Sequence, residues 1–177
     1  MNFKYALFAL GLVPSIMFAN NDCVKRYGIT HCGNVVIEKF YTNGMATLDG
    51  TTVKNHTEIN GTLEASDVKL NTLKVNGTAK LRNAEIAGRT EINGTLEASK
   101  ARFNSPVYIN ANVSQLSGCL VQEIYMGNET SAQPKLFLRG TIASGNISFT
   151  KNKGIVHICE GAKISGQVNN GTILEHC

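Results

Sequence analysis

From residue 48 to residue 109, apolar or small side chains return every five or six positions: Leu48, Val53, Ile59, Ala65, Leu70, Val75, Leu81, Ile86, Ile92, Ala98, Phe103 and Ile109. Most have a second small or apolar residue two places earlier, as in Val68/Leu70, Leu73/Val75, Ala79/Leu81 and Val107/Ile109. A period of two within each short segment predicts strands with one buried side and excludes the 3.6-residue period of a helix. Between the segments stand Asn-Gly, Asn-Ala, Ala-Gly or a lone Asn or Ser, residues that tolerate turn geometry.

The segments also repeat as a group. Thr57–Ser66 returns unchanged as Thr90–Ser99, an offset of 33 residues, and a degenerate copy, Leu73-Lys74-Val75-Asn76-Gly77-Thr78, sits halfway. The unit is therefore alternately 16 and 17 residues long and holds three short strands. That spacing predicts an all-β chain, a single-stranded triangular parallel β-helix, with the right hand that parallel crossovers prefer. A four-sided coil or a strict hexapeptide coil would need a longer turn.

Outward positions give an independent check, because the apolar count did not use them. Stepping one unit at a time, three columns read Glu58, Lys74, Glu91; Glu64, Lys80, Glu97; and Lys69, Glu85, Arg102. Each alternates in sign. With stacked strands about 4.8 Å apart, every such charge would have an opposite neighbour, and like charges would collide if the register slipped.

The ends depart from the rhythm. Met1–Ala19 reads as a secretory signal peptide, with Lys4 in its n-region, an apolar run from Tyr5 to Val13, and a cleavage site after Ala19. The residue before Cys23 is Asp22, which argues against a lipoprotein anchor, and no membrane span is expected after leader removal. Residues 20–45 read as an N-terminal cysteine-bearing cap that covers the first open strand edge. Residues 46–177 read as the β-helix, with an irregular insertion at about 119–135. Insertions in solenoids leave on one side and often mark a contact surface, which makes Tyr125, Asn128, Glu129, Gln133 and Lys135 the interaction candidates.

Charge and composition narrow the chemistry. The net charge is only +4 in 177 residues, too mild and too interleaved with acids for a nucleic-acid partner. Five cysteines behind a leader predict disulfides, with Cys159–Cys177 favoured because 18 residues is close to one turn, and Cys23–Cys32 second. Cys119 is then left unpaired, with Cys119–Cys159 as the alternative. His157, Cys159, His176 and Cys177 are ligand types for zinc, but the spacing is no recognised finger and secretion favours oxidation, so no metal and no cofactor are expected. Asn-Gly-Thr at residues 60 and 93 fits a glycosylation acceptor but is equally ordinary turn chemistry. No Ser/His/Asp set, phosphate loop or paired carboxylates stand out, so no catalytic residue is assigned.

Near the C-terminus, Cys159-Glu160-Gly161-Ala162-Lys163-Ile164-Ser165-Gly166-Gln167-Val168 and Gly140-Thr141-Ile142-Ala143-Ser144-Gly145-Asn146-Ile147 resemble the turns of bactofilins, polymer-forming bacterial cytoskeletal proteins. The resemblance implies a triangular β-helix and, more weakly, a polymer-forming role; bactofilins lack a secretory leader and several cysteines. The expected function is a secreted, non-catalytic structural or adhesive scaffold of the bacterial envelope or cell surface, periplasmic or extracellular. Its partners would be further copies of itself or an envelope or cell-surface component. The alternative is a carbohydrate-binding or polysaccharide-cleaving β-helix, for which Tyr108 and Tyr125 are the few aromatic candidates.

Overall fold

A computed structural model describes residues 23–175. The expected leader, Met1–Ala19, lies outside the described residues, as do His176 and Cys177. Every regular element among the described residues is a strand, and there are twenty. The first five are β1 (Val24–Arg26), β2 (Ile29–Cys32), β3 (Val36–Asp49), β4 (Thr52–Ser66) and β5 (Lys69–Arg82), followed by fifteen short strands from Glu85–Ile86 to Gly171–Leu174. All join one sheet that winds as a parallel β-solenoid of about nine turns.

Each turn has three faces. On the first, Ile59, Val75, Ile92, Ile109, Met126 and Phe149 stack in one inward column. On the second, Leu48, Ala65, Leu81, Ala98, Leu116 and Leu138 do the same. The third face contributes Val53, Leu70, Ile86, Phe103, Val121 and Ala143. All of these side chains are buried, so the core is a stack of apolar columns and not a central cluster.

The corners explain the uneven repeat. From the first face to the second (Ile59 to Leu63, Val75 to Ala79) the chain takes four residue steps, and from the second to the third (Ala65 to Leu70, Leu81 to Ile86) five. The third corner alternates. It takes four steps from Val53 to Thr57, three from Leu70 to Leu73 and four from Ile86 to Thr90. The extra residue shows as a register shift between Val53 and His56. The 16/17 alternation is therefore a one-residue bulge at a single corner, which leaves both long strand columns aligned.

A second corner is held by a column in the left-handed region. Gly50, Asp67, Asn83, Lys100, Gly118 and Gly140 all have φ between 50° and 66°. Their amides bond to the turn above, as in Asp67 N–H to Arg82 O (3.0 Å) and Lys100 N–H to Ser117 O (2.8 Å). The next residue in each case turns inward: Thr51, Val68, Ala84, Ala101, Cys119 and Thr141 are all buried. Cys119 is thus one member of a small-residue core column. Burial holds its thiol above the usual cysteine range.

The charge columns stack as the sequence predicts, with Glu58, Lys74 and Glu91 in register, then Glu64, Lys80 and Glu97, then Lys69, Glu85 and Arg102. The lysines lean toward the preceding turn, Lys74 Nζ to Glu58 at 3.8 Å and Lys80 Nζ to Glu64 at 3.9 Å. Glu91 pairs instead with Arg89, its neighbour two places back, at 3.4 Å.

Two boundaries differ from the expectation. The coil begins before residue 46, because β3 is already in register with β4 from Val36 to Asp49, and β2 lies parallel to Met45–Leu48. Phe40 and Thr42 take the inward places that Thr57 and Ile59 hold one turn later. The apolar run Val35-Val36-Ile37 and the exposed Tyr41 hide that alternation in the sequence. The cap proper is β1, antiparallel to β2 and stapled to it by Cys23–Cys32. The expected insertion also shrinks. Leu120–Val121, Ile124–Gly127 and Lys135–Arg139 are regular coil strands, and only residues 128–134 leave the coil.

Two predictions follow from these corners and columns. At Gly77 φ is +143°, and an added Cβ would lie 2.0 Å from the Gly61 carbonyl oxygen, whereas at Gly161 (φ +73°) it would meet nothing within 4 Å. Gly77→Ala should cost about 3 kcal/mol or more, and Gly161→Ala about 1 kcal/mol, in urea unfolding. Thr57 and Thr90 are fully buried on the first face, and their hydroxyls have no partner among the described residues. Thr90→Val should therefore raise stability by about 1 kcal/mol, since it removes a desolvated hydroxyl without changing shape.

Candidate functional site

The corner between the first and second faces begins as a regular ladder. Asn43, Asn60, Asn76 and Asn93 lie in register, each followed by a glycine at Gly44, Gly61, Gly77 and Gly94. Each asparagine donates Nδ2–H to the Oδ1 of the one before, at 2.9, 2.7 and 2.8 Å. The glycines allow this because successive corner backbones approach so closely that a Cβ at Gly94 would lie 2.0 Å from the Gly77 carbonyl oxygen.

The ladder stops at the fifth asparagine. Asn110 stands in register with Asn93 but is followed by Ala111, which cannot enter the close-packed glycine column. The corner widens to five residue steps, from Ile109 to Ser114. Asn110 then donates to Glu129 Oε1 (3.3 Å) instead of to Asn93. The Oδ1 of Asn93 accepts no hydrogen bond from a described residue, and the side chain is exposed.

Above this break, residues 128–134 leave the coil but are tied down. Asn128, only 2% exposed, donates to Asn112 Oδ1 (2.9 Å) and the Ala132 carbonyl (2.6 Å) and accepts from Asn152 (2.7 Å). Thr130 adds a bond to Asn112 Oδ1 at 2.9 Å. Glu129 projects outward, its Oε1 receiving Lys151 Nζ at 2.8 Å. The Lys151 hydrogen bond and charge hold the Glu129 carboxyl below its ordinary range, with a smaller contribution from Asn110. Glu129 is therefore ionised at neutral pH, and its Oε2 has no partner among the described residues.

Hollows open on either side of Glu129. One, about 230 Å³, is lined by Tyr108, Tyr125, Asn93, Asn110, Glu129 and Lys151. The second, about 510 Å³, continues from Asn93, Asn110 and Glu129 toward Asn112 and Thr130. The tyrosines are register neighbours on the first face. Their rings stack at 5.1 Å and 12°, and the Arg89 guanidinium covers the free side of Tyr108 at 3.8 Å from its centroid. Stacking and cation–π contacts of this kind stiffen a half-buried aromatic pair. Tyr125 donates its hydroxyl to Glu123 at 3.0 Å, which holds the phenol above its usual range. Beyond Tyr125 the column continues with Ser148, too short to cover the ring.

Of the five loop candidates, Asn128 is buried and structural, Glu129 lines the hollows, and Tyr125 belongs to the first face. Gln133 is exposed on the loop, and Lys135 opens the next second-face strand. The residues that complete the site, Arg89, Asn93, Asn110 and Lys151, lie on other turns. Their one signal in the sequence was the change from Asn-Gly-Thr to Asn-Ala-Asn at residues 110–112. A further hollow of about 510 Å³ lies on the second face near Lys80 and Arg82. Its cations are already engaged, Lys80 with Glu64 and Arg82 with Ser66 Oγ at 3.0 Å.

Of the cysteine candidates, Cys23–Cys32 is formed and Cys119 is a free, buried thiol, so the Cys119–Cys159 alternative is set aside. Cys159 is disulfide-bonded, and Cys177, the partner expected for it, lies outside the described residues. Among the described residues no three His, Cys, Asp or Glu side chains converge as metal ligands.

Because Lys151 lowers the Glu129 pKa, the Glu129–Lys151 pair should persist as pH falls and be lost only below the ordinary glutamate range. In Lys151→Ala the Glu129 carboxyl, followed by NMR, should titrate at higher pH than in the wild type. No protein-family model, curated protein or solved structure matches the chain. What stands is the architecture itself, a parallel β-helix.

Proposed function

We propose that the protein is a secreted, non-catalytic structural or adhesive scaffold of the bacterial envelope or cell surface, periplasmic or extracellular, with no membrane span once its leader is removed. One observation carries this reading. The outward charges of the regular turns face one another along the axis, Glu58 with Lys74 and Glu64 with Lys80, which opposes slippage of one turn on the next. Such ladders specify register and leave little charge for chemistry on a substrate. The Cys23–Cys32 bridge agrees with an oxidising compartment. The bactofilin-like turns near residues 140–168 add support for self-association, as do the outermost strands, Lys163–Ile164, Val168–Asn169 and Gly171–Leu174. Each of these pairs with the turn below and with no later turn among the described residues. An envelope or cell-surface component is the other partner proposed.

The carbohydrate-binding or polysaccharide-cleaving reading keeps one specific support, the Arg89–Tyr108–Tyr125 stack beside Glu129. The scaffold and the polysaccharide-cleaving reading are separated by replacing Glu58, Glu64, Glu91 and Glu97 together with Gln, and in a second variant Lys74 and Lys80 with Glu. For a scaffold, the four-Gln variant should lose about 1–2 kcal/mol, because exposed pairs contribute about 0.2–1 kcal/mol each and are screened by salt. The double reversal should melt lower, with like charges stacked on three consecutive turns. The wild type should release no reducing sugar from a polysaccharide panel. Polysaccharide cleavage by the wild type, whether or not the four-Gln variant keeps it, would overturn the scaffold reading.

A further inference from the structure

We propose that the hollows flanking Glu129 form a binding site for a neutral saccharide, the recognition element of the adhesive scaffold; the inference rests on that reading. The broken asparagine ladder leaves acceptors behind. Asn93 Oδ1 and Glu129 Oε2 are acceptors on the two sides of Asn110, which gives one of its two amide N–H groups to Glu129 Oε1. Both residues line both hollows. A ligand that satisfies them must bring donors, and adjacent hydroxyls on a sugar ring do so.

Charge narrows the class. The two cations of the site are committed, Arg89 to Glu91 and the Tyr108 ring, and Lys151 to Glu129. An anionic sugar would meet an ionised carboxylate and an amide oxygen with no spare cation to offset them. A neutral ring meets no such penalty, and its apolar face has a place to lie. The Tyr125 ring lines the smaller hollow, is backed by Tyr108, and is followed in its column only by Ser148. An aromatic ring held in place by stacking and by its hydroxyl bond to Glu123 presents area at little entropic cost. The two hollows share Asn93, Asn110 and Glu129 in their linings, so a ligand longer than one sugar unit would reach both across these side chains. Backbone and side-chain ties at Asn128, Thr130 and Asn152 hold the loop in position without a ligand, which favours binding by a preformed surface.

The test uses the full mature protein and four neutral oligosaccharide series (cello-, manno-, malto- and chito-oligosaccharides), with oligogalacturonate as the anionic comparison. Binding is read by calorimetry and by NMR shifts of the tyrosine rings. At least one neutral series should bind saturably in the micromolar-to-millimolar range and shift Tyr125. Glu129→Gln and Tyr125→Ala should each weaken it about tenfold or more, about 1.4 kcal/mol. Lys80→Ala on the second face should bind as the wild type does. Circular dichroism and melting of each variant confirm that the coil is intact, and Tyr125→Phe, which keeps the ring, should retain most of the affinity. No saturable binding to any neutral series overturns the proposal, as does a preference for oligogalacturonate, or binding unchanged in both Glu129→Gln and Tyr125→Ala. Those outcomes leave the scaffold reading standing. Hydrolysis of a bound sugar would remove the scaffold reading and leave the site.

Discussion

The close approach of backbone to backbone at the Asn-Gly corners is the constraint on which the regular half of the molecule depends. Gly44, Gly61, Gly77 and Gly94 stack with φ from 111° to 144°, and at the last three a Cβ would fall within about 2 Å of a carbonyl oxygen on the turn before. That contact sets the rise of one turn on the next at the corner, and the asparagine amides then reach one another at ordinary hydrogen-bond lengths. Amide ladders of this kind satisfy polar groups that would otherwise compete for water at a sharp bend. The apolar columns supply most of the stabilising burial, but they tolerate many side chains. The glycine column tolerates one.

The irregular half follows from the loss of that constraint. Once Ala111 stands where the column needs glycine, the corner takes an additional residue, and the next turns depart further. Residues 128–134 loop out, and Phe149 fills the space that glycines keep open, since a Cβ at Gly154 would lie 2.0 Å from its ring. A second asparagine set, Asn112, Asn128 and Asn152, takes over the role of the first. Where one ladder ends and the other begins, polar atoms are left facing solvent. The candidate site is this junction, flanked by a tyrosine pair that packs on the same turns.

The electrostatics divide along the same line. On the regular turns, the charges alternate and partly pair along the axis, so the surface there carries little local field. At the junction a lysine is committed to Glu129 and an arginine to an aromatic ring and Glu91. The result is a site rich in acceptors and poor in free charge, on a frame whose register the alternating columns protect.

The repeat, the three-faced turn and the pairing of the charge columns were legible in the sequence, because a strand's inward and outward positions alternate with period two and the turns share one length. Cys23–Cys32 was legible as the second of two expected bridges, from its place in the cap behind the expected leader. The boundaries at residues 46 and 119 were not, since the run Val35-Val36-Ile37 and the exposed Tyr41 mask the alternation that Phe40 and Thr42 keep, and the coil continues through Leu120 to Gly127 before any residue leaves it. The tertiary structure alone decided the site. Arg89, Asn93, Asn110, Glu129 and Lys151 are spread over successive turns, and nothing in the linear order says that Asn110 turns from Asn93 to Glu129 or that Tyr108 and Tyr125 stack. Periodicity determines which residues share a column, but where the period fails, the meeting of side chains depends on how the chain is routed around the failure, and only the packed coil supplies that.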